Sequence, residues 1–296
     1  MIKSIAIIKD HSDVVYSLLL LKDKRIASCS EDKTIRIFNP IKDYQCEMII
    51  EGHLNAIYSI CQLENSHIVS CSLDNSIRIW SITQYSYCCM FTIFNAHSYS
   101  ISKVLSLSSE RIASSSWDNT IKIWKGTAEY SDIPIRVLRG HTDIVWTIIE
   151  VKERHILASI SYDKNLLIWS LLTYQCVSVI RGVDCLSNNS VVRKDIDRLL
   201  IGDNDRIYIV NINKCLIEET IINKEKCDSF CKLTDTLIIC GCMNSKIYLL
   251  DSNTKEFTLI ESPHSNIISD IITINESTLI SSSWDCNIIV WKREDL

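Results

Sequence analysis

SSSWDNTIKIW, residues 114–124, returns along the chain as SCSEDKTIRIF (28–38), SCSLDNSIRIW (70–80), SISYDKNLLIW (159–169) and SSSWDCNIIVW (281–291). Two degenerate copies end at Val210 and Leu250. The aspartate position of the motif falls at 32, 74, 118, 163, 204, 244 and 285, with asparagine at 204 and 244, so seven copies follow one another at intervals of 40–45 residues. Strong copies end in apolar–polar alternation, as in Ile35-Arg-Ile37 and Ile121-Lys-Ile123, the pattern of a half-buried strand. The Asp-Lys and Asp-Asn pairs before it are turn chemistry, with Asp and Asn standing in for a scarce glycine. A histidine precedes five of the aspartates by 21 or 22 residues: His11, His53, His97, His141 and His264. Two more short apolar runs lie in between, such as Val14–Leu21 and Ile26–Ser28. Four short strands in each copy make one propeller blade, and the chain reads as an all-β, seven-bladed β-propeller.

Length alone, 296 residues, would permit two ordinary domains. The repeat consumes every residue, so we expect a single domain over 1–296. A composition of 47% hydrophobic and 23% charged residues is that of a folded globular chain. With a net charge of −5, no basic excess exists to drive binding to nucleic acid or anionic lipid. Fourteen cysteines are too dilute here for a disulfide scaffold of the small secreted kind. No apolar run approaches the ~20 residues of a membrane span, and Ile5–Ile8 is too short for a secretory core. The expected location is the reducing cytoplasm, with the nucleus left open. Only five residues follow Trp291, too few for an outer strand of the last blade. A strand at Ile2–Ile8 is expected to complete that blade and close the ring, removing sheet edges.

Over essentially its whole length the chain resembles the WD-repeat family of β-propellers. The family's Gly-His dipeptide stands at Gly52-His53 and Gly140-His141, while Asp10, Ala96 and Pro263 replace the glycine elsewhere. The Asp of the Trp-Asp signature is eroded to Asn39, Ser81, Lys125, Ser170, Asn211 and Lys292. The resemblance implies a structural tetrad, a relay from indole to Ser to His to Asp. Its sets are His53-Ser70-Asp74-Trp80, His97-Ser114-Asp118-Trp124, His141-Ser159-Asp163-Trp169 and His264-Ser281-Asp285-Trp291. Such polar groups tolerate burial only when each is paired. Blade one has His11, Ser28 and Asp32 but Phe38, and blades five and six have lost the relay (Val183, Leu200, Asn204, Val210; Asn223, Cys240, Asn244, Leu250).

Similarity to the G-protein β subunits of that family further implies three rim positions per blade on the face where partners dock. Projected onto this chain they include Tyr16, Tyr58, Trp117, Trp146, Tyr162 and Trp284, an aromatic arc from blade seven to blade four. Ser102 and Ser269 fall on the same rim, and Leu186, Asn188, Asp203, Lys226, Asp228 and Met243 occupy it in blades five and six. Aromatic side chains there are either anchors for a partner or local packing over the blade tops.

The function expected is that of a non-catalytic scaffold that takes a protein or peptide partner within a multiprotein complex. No cofactor, metal, nucleic acid, membrane insertion or small-molecule substrate is implied. A His-Ser-Asp set repeated in several blades is structural, since a catalytic triad occurs once. No arginine projects to the rim, against phosphopeptide reading. Two other readings stand beside this one. The chain is similar, in its Ser-Ser-Ser-Trp-Asp-Asn-Thr repeat and single short propeller, to the WD-repeat subunit of cytosolic iron–sulfur protein assembly; co-purification with iron–sulfur enzymes would favour that role. Alternatively Cys227, Cys231, Cys240 and Cys242 of blade six serve a metal or an enzymatic site, against which stands their register with core positions of other blades, cysteine being a small buried hydrophobe. Cys88-Cys89 is expected in a stretch connecting two blades.

Overall fold

A computed structural model describes residues 2–108, 110–126, 129–183, 187, 189–203, 205–222, 225–275 and 277–294. It shows seven four-stranded antiparallel sheets. The only helical segments among the described residues are two 3-10 turns, Pro40–Lys42 and Lys152–Arg154. In each sheet one edge strand contacts its counterpart in the next blade around a full circle, and these seven strands are the inner ones. They are Val15–Leu20, Ile57–Gln62, Ile101–Leu107, Val145–Val151, Val191–Arg193, Cys227–Lys232 and Ile268–Asn275.

Burial follows radius. The second strand of blade one, Ile26–Ser30, is buried at every position, as is Ile68–Ser72 of blade two. The outer strands, such as Arg136–Arg139 and Cys176–Arg181, bury one residue or so and face water with the rest. The apolar residues pack between blades rather than in one central core: the cluster that holds Leu21 and Ala27 of blade one also holds Ile57, Ile68 and Trp80 of blade two. Sheets packed face to face around the ring in this way bury both faces of the inner part of each blade.

Ring closure follows the expected route. Ile2–Ile8 pairs antiparallel with Ile288–Arg293, from Ile2 opposite Arg293 to Ile8 opposite Ile288, and is the outer strand of blade seven. Cys88 and Cys89, expected in a connection, lie instead in the outer strand Tyr87–Ile93 and are exposed. An outer strand has little to bury, so its side-chain pattern is weak.

The turn after the second strand is built alike in six blades. Lys33, Asn75, Asn119, Lys164, Ser245 and Cys286, each one past the motif's Asp or Asn, have φ between 63° and 69°. That left-handed conformation costs an L-residue energy. In five blades the preceding Asp compensates, its Oδ1 accepting from the backbone N–H two residues on: Thr34, Ser76, Thr120, Asn165 and Asn287.

Polar side chains from inner strands, and from the turn that leads into blade five's inner strand, meet near the centre of the ring. Asn189 of blade five, 7% exposed, reaches across it. Its Nδ2 donates to the carbonyl oxygens of Tyr16 (3.2 Å) and Ser269 (3.0 Å), and its Oδ1 accepts from Lys103 Nζ at 2.8 Å. Beside it Asp270 accepts from Ser17 Oγ (3.1 Å) and Leu18 N (2.8 Å). Burial pushes the Asp270 carboxyl up, against the opposing field of Lys103 and these donors.

Candidate functional site

The tetrad residues meet in four blades. Trp80, Trp124, Trp169 and Trp291 each donate Nε1–H to a serine, Ser70, Ser114, Ser159 and Ser281, at 2.8 Å. Each serine oxygen lies 2.7 Å from Nε2 of His53, His97, His141 or His264. The Nδ1 of the same histidines lies 2.8–2.9 Å from Asp74, Asp118, Asp163 and Asp285. Because the serine oxygen already accepts from the indole, it gives its own proton to Nε2. The histidine therefore carries its proton on Nδ1 and donates it to the carboxylate. In blade one His11 bridges Ser28 (2.6 Å) and Asp32 (2.7 Å), with Phe38 fully buried in place of the indole. In blade five Val183, Leu200 and Val210 are buried, and in blade six Cys240 and Leu250, so apolar groups replace the relay. Asn204 and Asn223 lie outside the described residues; Asn244 is exposed and donates Nδ2–H to Glu225 at 2.5 Å.

This arrangement fixes charge. Burial alone would push the tetrad carboxyls up. The donors around them, the histidine and the turn's own N–H and O–H groups, override it and hold Asp32, Asp74, Asp118, Asp163 and Asp285 below the ordinary carboxylate range. Burial pushes His53, His97 and His141 down, more than the aspartates raise them, so these rings stay neutral. With every polar atom of the relay engaged, it is a fastening between the second and third strands, the turn and the incoming loop. The glycine of Gly-His has a steric reason here: a Cβ on Gly52 would lie 3.0 Å from the Trp80 ring, and one on Gly140 3.1 Å from Trp169.

The relay also ties down the end of the ring onto which the rim positions project. The loop after each tetrad histidine is tied to the turn carrying the aspartate, for example by Leu54 N–H to Asp74 at 2.9 Å. The rim residues stand at this end of the ring. Among the described residues six inner strands carry a bulge at one shared position, and the residue skipped by the register is Tyr16, Tyr58, Ser102, Trp146, Asp228 or Ser269. A bulge re-aims the side chain it carries. Three of these bulge residues, Tyr16, Tyr58 and Trp146, join Trp117 and Trp284 of the turns after the second strands in one chain of rings across five blades. Trp284 meets Tyr16 edge-on (6.4 Å between ring centroids), Tyr16 meets Tyr58 (4.5 Å), Tyr58 stacks on Trp117 (6.5 Å), and Trp117 meets Trp146 (5.6 Å). Tyr16 donates its O–H to Glu31 at 2.7 Å, and burial with that contact pushes its phenol up.

Exposure divides the six aromatics. Tyr16, Tyr58, Trp117 and Trp146 are half-buried against one another, whereas Tyr162 and Trp284 are 50% and 42% exposed. Leu54 and Tyr99, from loops after tetrad histidines, add exposed apolar surface that the rim projection missed. The indole N–H groups of Trp117 and Trp146 are buried with no acceptor among the described residues. Ser102 and Ser269 are not on the rim: both are buried. A short hydroxyl turns back to the neighbouring blade, Ser102 to the carbonyl of Val145 (2.5 Å) and Ser269 to that of Val15. Leu186 and Asn188 lie outside the described residues.

Asp228 is the odd member of the bulge set. It is buried, no bond to its carboxylate is made by the described residues, and burial, with the Cys227 thiol beside it, pushes its carboxyl up to about 7. The sign of the linkage is that the fold keeps a proton the unfolded chain has lost above pH ~3.9. Stability is therefore eroded as pH rises from about 4 to about 7, and the loss then levels off. Asp228→Asn is expected to gain on the order of 2–4 kcal/mol over the parent at pH 8, relative to the difference at pH 4. Urea unfolding of both proteins at the two pH values checks this; an equal difference at both would assign the carboxyl an ordinary titration.

Among the described residues no group of three His, Cys, Asp or Glu side chains could hold a metal ion, the blade-six cysteines included. No curated protein matches the chain. The family model for the WD domain, G-beta repeat, matches residues 2–39, 44–81, 88–125, 132–170 and 255–292, more than half of the sequence. Its five matches are the five copies that keep the histidine. Propellers of this kind typically mediate protein interactions and are generally non-catalytic scaffolds, and the chain, by these matches and its seven blades, belongs to the WD40 family.

Proposed function

We propose that the protein is a non-catalytic scaffold that docks a protein or peptide partner on the face carrying the aromatic arc and so joins a multiprotein complex, in the cytoplasm. The observation that carries this reading is the continuous run of rings from Trp284 through Tyr16, Tyr58 and Trp117 to Trp146, edged by the exposed Tyr162, Leu54 and Tyr99. Large, rigid, half-desolvated aromatics are the residues that dominate binding hot spots. The rings pack on each other, which fixes them before a partner arrives and lowers the ordering cost of association. The unsatisfied indole N–H groups of Trp117 and Trp146 are a further cost accepted on this same face.

The residues to alter are the exposed ones, since truncating the half-buried rings would disturb blade packing as well. Tyr162→Ala combined with Trp284→Ala is expected to lose the partners captured by the parent protein, with a weakening of about 30-fold or more if each ring is worth ~1–2 kcal/mol. Circular dichroism and melting temperature should stay near those of the parent. Capture by affinity purification and mass spectrometry, undiminished in the double variant, would place the docking surface elsewhere.

A further inference from the structure

Blade six has no relay to fasten its second strand, yet the top rung of its ladder carries another fastening. The inner strand Cys227–Lys232 begins, and the second strand Leu237–Cys242 ends, on cysteines that face one another directly across the ladder. On the adjacent rung Met243 N–H donates to the carbonyl of Lys226 at 2.8 Å. Cys227 and Cys242 are thus a non-hydrogen-bonded pair, the position at which cross-strand side chains stand closest. Their sulfur atoms are 2.6 Å apart, nearer than two unbonded sulfurs rest. Both residues are buried, at 4% and 0% exposure. The Cys240 thiol also lies within hydrogen-bond reach of Cys227, but Cys242 is the cysteine directly opposite it in the ladder.

We propose that Cys227 and Cys242 form a reversible cross-strand disulfide, a redox-governed clasp that does in blade six what the Trp-Ser-His-Asp relay does in blades two, three, four and seven. The oxidant class is a low-molecular-weight disulfide such as glutathione disulfide. One cysteine thiol loses its proton and attacks a sulfur of that disulfide, forming a mixed disulfide and releasing one glutathione thiolate, which takes up the proton. The second thiol then attacks the protein sulfur of the mixed disulfide and releases the other glutathione. The protein loses two electrons and two protons, and both appear in two molecules of reduced glutathione. Burial of both thiols means that attack proceeds when this end rung opens, which requires separation of one pair rather than of the whole blade. Cys240, two residues before Cys242 on the same face of the strand, is a third thiol able to compete for Cys227, and its participation can be read separately.

The full chain is incubated with glutathione disulfide or with reduced glutathione, denatured, and alkylated. Cleavage after Lys226, Lys232 and Lys246 separates the two cysteines onto peptides 227–232 and 233–246. In the oxidised sample these peptides are expected as one linked species whose fragmentation assigns the bond to Cys227 and Cys242. Two fewer thiols react with the alkylating agent, and the melting temperature rises by a few degrees. Reduced glutathione reverses all three. Cys242→Ser abolishes the linked species and Cys240→Ser keeps it. Full alkylation of both cysteines after prolonged oxidation, in buffer and in mild urea alike, would overturn the proposal, as would a bond to Cys231 or Cys240 instead. The parent protein carries the decisive reading, so a variant that does not fold leaves the test intact.

Discussion

A chain lacking residues 2–8 is expected to accumulate as aggregate, and whatever fraction is soluble should melt far below the parent. The missing segment is the outer strand of blade seven, joined to Ile288–Arg293 through six paired positions from Ile2–Arg293 to Ile8–Ile288. At a net ~1 kcal/mol for each ladder bond, its removal takes a large share of the roughly 5–15 kcal/mol that holds a typical domain together. The exposed strand that remains would be Ile-Ile-Val-Trp-Lys-Arg, nearly all apolar and buried over its first four residues. An unpaired edge of that character is a template for intermolecular pairing. Light scattering and thermal melting of the purified truncation measure both effects. The same peptide supplied in trans should restore solubility, and a truncation as soluble and as stable as the parent would mean that the ring does not depend on this closure.

Trp124→Ala is expected to cost about 3–5 kcal/mol, the range for removing a large buried aromatic. Trp124 is 1% exposed and lies in a cluster that holds Val69, Cys71 and Ile77 of blade two together with Ile101, Val104 and Ile112 of its own blade. Its ring joins two blades, and its N–H holds Ser114 in the relay. Trp124→Phe separates the two contributions. It retains a ring between the blades and removes one hydrogen bond, a loss of about 1 kcal/mol. Blade one shows the result already built, with Phe38 buried and His11 still bridging Ser28 and Asp32. Chemical denaturation of the two variants should therefore rank them well apart. A phenylalanine variant as damaged as the alanine one would show that the relay, rather than the packed ring, joins the blades.

The legibility of this fold varied from blade to blade for a physical reason. Where His, Ser, Asp and an aromatic cooperate, as at His97, Ser114, Asp118 and Trp124, a polar set must be kept whole to be buried, so the motif survives in the sequence. In blades five and six Val183, Leu200 and Val210, then Cys240 and Leu250, are buried in place of the polar set. Any apolar residue of suitable size serves there, and only the spacing of the copies betrayed the strands. The aromatic arc could be projected from register, because each of its residues keeps a fixed offset from the motif's histidine or aspartate. Ser102 and Ser269 share that offset but not the outcome. A hydroxyl small enough to bend back onto Val145 or Val15 leaves the rim without any mark in its immediate sequence. Asn189 and Lys103, too, meet across 86 residues of chain, a separation no local pattern reports.

Asn189 issues from the blade with the shortest inner strand, three residues long, and through one carboxamide it holds Lys103 of blade three and the main chain of blades one and seven. A repeat protein whose units touch only their neighbours can lose them one at a time from its weakest point. Here the frailest sector is moored to three others at the hub, so its departure is felt on the far side of the wheel at once, and melting is driven toward a single all-or-none event.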